Sequence, residues 1–169
     1  MSLVDEERDA EERTSAVGLA RYAFEYIKAA ALVDEDAAKK SQRYMVSPIP
    51  AYFLAVHGIE LTLKAYLRYS EVSVRDLSKK YGHDLHKCYR KAKELGLLNR
   101  FKEHANDRAA LELLADLNQG HGLRYIKTGP KQFPHWSIVY PLAVRLHQAV
   151  APVVGYRSFQ ITFGEYSSA

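Results

Sequence analysis

Between Pro50 and Leu67 apolar side chains recur at helical spacing and spread well beyond a single stripe. Tyr52, Val56, Ile59, Leu63 and Tyr66 step by four, three, four and three, and Phe53, Leu54, Leu61 and Leu67 widen the apolar sector. A helix that is apolar over most of its circumference has to be surrounded, so the rest of the chain must supply partners for it. Ser47-Pro48-Ile49-Pro50 marks its start, because proline fits a first helical turn and disrupts deeper ones.

Those partners read as helices too. Thr14-Ser15 is an N-cap candidate for a helix running to about Val33, with Val17, Leu19, Ala23, Phe24, Ile27 and Leu32 in register and a polar continuation over Asp34 to Gln42. A short helical turn is expected over Val74 to Lys80. A third helix starts near His83-Asp84 and stops at Gly96, a fourth covers Asn99 to Leu117, and a fifth covers Trp136 to Val150 with Pro141 in its early part. Gly122 to Pro134 reads as a loop or hairpin, and Ser158 to Phe163 alternates like an edge strand or an extended segment. With only 9 Gly and 6 Pro in 169 residues, the punctuation of a sandwich or barrel is missing. The expectation is all-α: an antiparallel bundle of four to five helices with a short C-terminal extended segment. It forms one domain over 15–169 behind an acidic extension, 1–14.

The net charge of +4 conceals a division. Residues 1–14 carry six acids against Arg8 and Arg13, which is −4 and leaves +8 on the remainder. Nine basic residues against three acids lie between Arg75 and Lys102, a field that attracts a polyanion if they share a face and is otherwise a solvated helix surface. The stretch from Tyr44 to Ile59 lacks charge but contains prolines and His57, too short and too broken to span a bilayer. The N-terminus is acidic where a secretion signal is basic and then apolar, and Cys88 has no partner for a disulfide, so a cytoplasmic protein is expected.

Three features carry potential chemistry. His57, Glu60 and Lys64 fall at i, i+3 and i+7 on the apolar helix, as a ligand-binding stripe or as an intrahelical ion pair beside a capped histidine. Gly82-His83-Asp84-Leu85 places an imidazole and a carboxylate at a helix start, for phosphate binding and proton transfer or for plain N-capping. Gly120-His121-Gly122-Leu123-Arg124-Tyr125 combines backbone freedom with side chains that clamp phosphates and stack on bases. Ligand-binding candidates are therefore His57, Glu60, Lys64, Asp84, Arg124 and Tyr125. No metal centre, cofactor site, phosphate-binding glycine loop or serine-nucleophile motif is found, and mid-helix Cys88 reads as structural.

Ala55-Val56-His57-Gly58-Ile59-Glu60-Leu61-Thr62-Leu63-Lys64-Ala65-Tyr66-Leu67, then Gly82-His83-Asp84-Leu85 and Ala92-Lys93-Glu94-Leu95-Gly96-Leu97, resembles the HEPN-like (higher eukaryotes and prokaryotes nucleotide-binding) family over roughly residues 15 to 150. The resemblance implies a helical bundle, a homodimer and association with nucleotides or RNA, often in toxin–antitoxin or defence systems. An antitoxin or a nucleotidyltransferase is the implied protein partner. Ribonucleases of that family carry an Arg and a His separated by four to six residues, and this chain departs from the pattern: Arg75 and His83 are separated by seven, Arg100 and His104 by three, Arg124 and His135 by ten. A metal-independent ribonuclease here needs a different pairing. Arg75, to stabilise charge, and His83, to move the proton, are the first candidates for it.

Overall fold

The computed structural model describes residues 3–40, 48–125 and 129–164, and among them there are helices and turns but no strand. The helices are α1 (Leu3–Arg13), α2 (Ala16–Lys40), α3 (Ile49–Tyr69), α4 (Val74–Asp76), α5 (Leu85–Glu94), α6 (Asp107–Gln119) and α7 (Trp136–Val150). α4 runs into a π-helical turn, Leu77–Tyr81, and a 3₁₀ turn, Leu97–Asn99, follows α5. None of these helices is long and apolar enough to cross a membrane.

α3 is the axis of the bundle, packed against α2, α5 and α7. Ala51, Tyr52, Ala55, Val56, Ile59, Leu63, Ala65 and Leu67 are all buried, as the breadth of its apolar sector requires. α2 lies closest, because Gly58 has no side chain: a Cβ there would stand 2.5 Å from Ile27 Cγ1 and 3.3 Å from the Ala23 carbonyl oxygen. Two tyrosine hydroxyls extend from α3 to its neighbours. Tyr52 donates to the Pro134 carbonyl (2.8 Å) ahead of α7, and Tyr66 donates to the Leu95 carbonyl (2.9 Å) at the end of α5.

The acidic N-terminal segment is itself a helix, docked by its last turn. Glu11 pairs with Arg68 of α3 (2.8 Å) and accepts from the Val74 backbone N–H (2.7 Å), which fixes the start of α4. Behind the extended tail, His147 of α7 is fully buried and joins three parts of the chain. Its Nε2–H donates to the Ala20 carbonyl (2.8 Å) and its Nδ1 accepts from the Ser158 hydroxyl (2.7 Å), with Phe24, Tyr156 and Phe159 around the ring.

One expectation needs correction, and two open alternatives are decided among the described residues. The fourth helix begins at Asp107 rather than Asn99, and Phe101 is buried from irregular backbone. The 122–134 connection contains no hairpin among its described residues; Arg124 and Tyr125 both donate their N–H to the His121 carbonyl, closing a turn. Ile126 lies outside the described residues, as do Ser41 and Gln42 at the end of the expected α2 continuation. The tail from Ser158 is extended but not a ladder strand; the Gln148 side chain donates to the Phe159 and Ile161 carbonyls and holds it.

Candidate functional site

Gly82 sets the geometry. Its backbone, φ 50° and ψ −125°, lies where a side chain is strongly disfavoured, and this reversal closes the π turn and sends His83 back toward α3. The His83 ring meets Glu60, with Nδ1 3.0 Å from Oε1 and 3.3 Å from Oε2. A carboxylate only accepts, so the proton sits on Nδ1 and Nε2 is left as the free position of a ring whose side chain is 62% exposed. Behind it Glu60 is 2% exposed and also accepts from Lys64 Nζ at 2.8 Å. One buried carboxylate thus serves both an i, i+4 ammonium and an imidazole from the next helix start.

Asn118, buried at the end of α6, fixes the histidine from the other side by donating to the His83 carbonyl (3.0 Å). Asp84 is a helix cap: it accepts from the Lys87 N–H (3.0 Å) and pairs with Lys87 Nζ (3.2 Å). Burial pushes its carboxyl pKa up, but the bonds from Lys87 and Gln119 outweigh this and hold it below the usual value. Capping is therefore its structural role.

His83, Asp84, Asn118, Gln119, His121 and Arg124 line one open hollow of about 320 Å³. Arg124 is held over the Phe53 ring, 5.7 Å from its centroid. His121 has φ 55°, an uncommon conformation outside glycine, and it folds the 121–125 turn over the end of α6. His57 sits just behind, half-buried, edge-on to Tyr26 (4.4 Å) and parallel to Phe53 (6.5 Å). Burial lowers its pKa below 6.5; His83, Lys64 and Arg124 act in the same direction, and Glu60 opposes them. Five ionisable groups therefore share one electrostatic neighbourhood, with His57 neutral at its inner edge.

Arg75 is not among the residues lining this hollow; it lies exposed on α4. Tyr125 is 68% exposed and reaches the site through His121, by its N–H bond to the His121 carbonyl and by an edge-on ring contact (6.0 Å). The basic face of α5 is partly neutralised locally, by Lys87 with Asp84 and by Lys91 with Glu94 (3.2 Å), while Lys93 lies over the Tyr89 ring (4.9 Å). Cys88 is fully buried and its thiol is pushed up to about 12 by burial, which leaves it without thiolate chemistry at neutral pH. Asn118 and Gln119 join the site from a tripeptide that reads in sequence only as a helix end.

The arrangement has the parts for phosphate chemistry: an imidazole oriented by a buried carboxylate, a second imidazole, and a guanidinium with no carboxylate partner among the described residues. No family model, no curated protein and no solved structure matches this chain.

Proposed function

We propose that this hollow binds the phosphate of a nucleotide or a single-stranded RNA, in a HEPN-like bundle of the kind found in toxin–antitoxin and defence systems. The supporting observation is the placement of Arg124 on the same wall as the Glu60-bound His83. The guanidinium supplies charge and paired N–H donors to phosphate oxygens, and His121 and Tyr125 offer rings to a base. Fluorescence titration with a short single-stranded RNA at two salt concentrations tests it. Binding weakens with salt, and Arg124→Ala lowers the log–log salt slope by about 0.7 to 1, one phosphate contact. No binding, or an unchanged slope in Arg124→Ala, overturns the reading.

A second reading, metal-independent ribonuclease, is favoured by the Glu60–His83 contact in particular. His83 Nε2 takes the proton of a ribose 2′-hydroxyl, the 2′-oxygen attacks phosphorus, and the P–O5′ bond breaks as His121 protonates the leaving oxygen. The products are a 2′,3′-cyclic phosphate and a 5′-hydroxyl, with Arg124 in place of Arg75 stabilising the phosphorane charge. RNA incubated with the protein then yields cyclic-phosphate ends, and His83→Ala abolishes them. Equal cleavage by both proteins excludes this chemistry.

A further inference from the structure

The cations of α5 fall into two sets. Lys87 and Lys91 are each neutralised at 3.2 Å, by Asp84 and Glu94. Arg90 and Lys93 are not: neither has a carboxylate partner among the described residues, and Lys93 rests only on the Tyr89 ring. With His86 they recur at i, i+4 and i+7, which puts all three on one face of the helix. Together with Arg108, Leu111 and Glu112 of α6 they line a furrow of about 190 Å³.

Arg90, Lys93 and Arg108 against Glu112 leave this furrow a net charge of +2. Glu112 stands 3.4 Å from Arg108, and both side chains are more than half exposed, so the pair is weak and the guanidinium can exchange it for phosphate. The floor is formed by Leu85, Tyr89 and Leu111, all buried. Cations along a groove with an apolar floor strengthen one another's field there, which favours an anion in the groove over one on a flat surface.

The furrow begins where the His83 hollow ends. Asp84 lines the hollow, and the next two residues, Leu85 and His86, line the furrow. α5 and α6 run antiparallel along it: the start of α5 meets the end of α6 through His83 with Asn118 and His86 with Asp116, and Tyr89 to Lys93 face Arg108 to Glu112. From Asp84 to Lys93 the helix advances about 14 Å. A phosphate held at Arg124 and a phosphate held at Lys93 therefore belong to different nucleotides.

Resting on the phosphate-binding reading of the hollow, we infer that the α5–α6 furrow continues the same track, and that the ligand is a single RNA strand of several nucleotides rather than a free nucleotide. Arg90, Lys93 and Arg108 meet its backbone phosphates. Cations over an apolar floor carry little base-specific information, so this part of the track binds without regard to sequence.

Fluorescence titrations of the full chain with a uridine dinucleotide and with an oligouridylate of eight nucleotides, each at several salt concentrations, test this. The longer strand binds more tightly and with a steeper salt slope. Arg90→Ala lowers that slope by about 0.7, and Arg90→Ala with Lys93→Ala by about 1.4, while the dinucleotide is unaffected. Lys91→Ala, which removes the same charge from α5 outside the furrow, leaves both ligands nearly unchanged. Equal slopes for the two lengths, or equal losses in Arg90→Ala and Lys91→Ala, overturn the furrow while an effect of Arg124→Ala on both ligands preserves the hollow. Furrow dependence with no effect of Arg124→Ala at either length overturns the hollow reading and the continuous track with it. Displacement of the longer strand by an oligoglutamate of equal charge, as efficient as by unlabelled RNA, assigns the furrow to an acidic peptide and overturns the inference.

Discussion

Glu60 is the residue on which two demands meet. A carboxylate that is 2% exposed is costly to desolvate, and Lys64 at 2.8 Å with His83 at 3.0 Å offsets that cost. Replacing both Glu60 and Lys64 by apolar residues of similar volume is expected to be close to neutral for folding, because buried pairs seldom add net stability. Removing one partner is another matter. Glu60→Gln leaves the Lys64 ammonium, 12% exposed, without its counter-charge and costs about 3 kcal/mol, at the low end for a broken buried pair because Lys64 still reaches the rim. Urea midpoints check this: the single variant falls well below the parent, and Glu60→Leu with Lys64→Met recovers most of the loss. A loss under about 1 kcal/mol in Glu60→Gln contradicts it. The pair is then retained for what the carboxylate does to His83, and the double variant, though stable, loses the orientation of Nδ1. In the sequence, His57, Glu60 and Lys64 were legible as one stripe because periodicity alone puts them on a face. That His83 closes onto Glu60 was not, since the closure depends on the Gly82 reversal and on Asn118, neither of which periodicity describes.

At the scale of the element, the contact between α2 and α3 is set by the absence of one carbon. Gly58 lies mid-helix, where alanine is normally favoured by about 1 kcal/mol. Here its Cβ would collide with Ile27 Cγ1 and press on the backbone at Ala23 and Ile27, so the added methyl has to push the helices apart. Overpacking of this kind costs roughly 1 to 3 kcal/mol, enough to reverse the propensity gain. Gly58→Ala is therefore destabilising, and Ile27→Ala, harmful alone, couples favourably with it in a double-mutant cycle. A stabilised Gly58→Ala would show that the helices yield there. α7 and α3 were readable to the residue or nearly so, because strong breakers flank them: prolines before α3, Pro134 and His135 before α7. The start of α6 was not. Phe101 and His104 fit the helical spacing of Leu111 and Leu114, and only the tertiary pairing of Asp107 with Arg145 shows that residues 100–106 leave the helix to make it. Local pattern records which residues are buried, and it does not record whether a helix or a loop delivers them.

For the molecule as a whole, the all-helical class followed from composition and spacing, but the means by which the tail is held did not, because a lone histidine on an apolar face gives no sign of its partners. His147 binds the Ala20 carbonyl and the Ser158 hydroxyl at once, so α2, α7 and the tail share one neutral imidazole. Burial lowers its pKa below 6.5, with the Ala20 bond opposing in part, and the half-buried His57 is lowered as well. In the unfolded chain both imidazoles return to ordinary values, so below 6.5 the unfolded state takes up protons that the folded state refuses. Stability contributed by these groups is complete above that pH and declines as pH falls through the window between the ordinary and the lowered values. Denaturant midpoints measured from about pH 7.5 down to about pH 5 are expected to fall. His147→Gln, though less stable at neutral pH, shows a shallower decline, and His57→Gln removes a separate portion. Other titrating groups are common to all three proteins, so the difference in slope isolates each histidine. An unchanged slope in His147→Gln would mean that the buried ring is protonated without penalty, and the bond that Nδ1 accepts from Ser158 would then not be what holds the tail to α7.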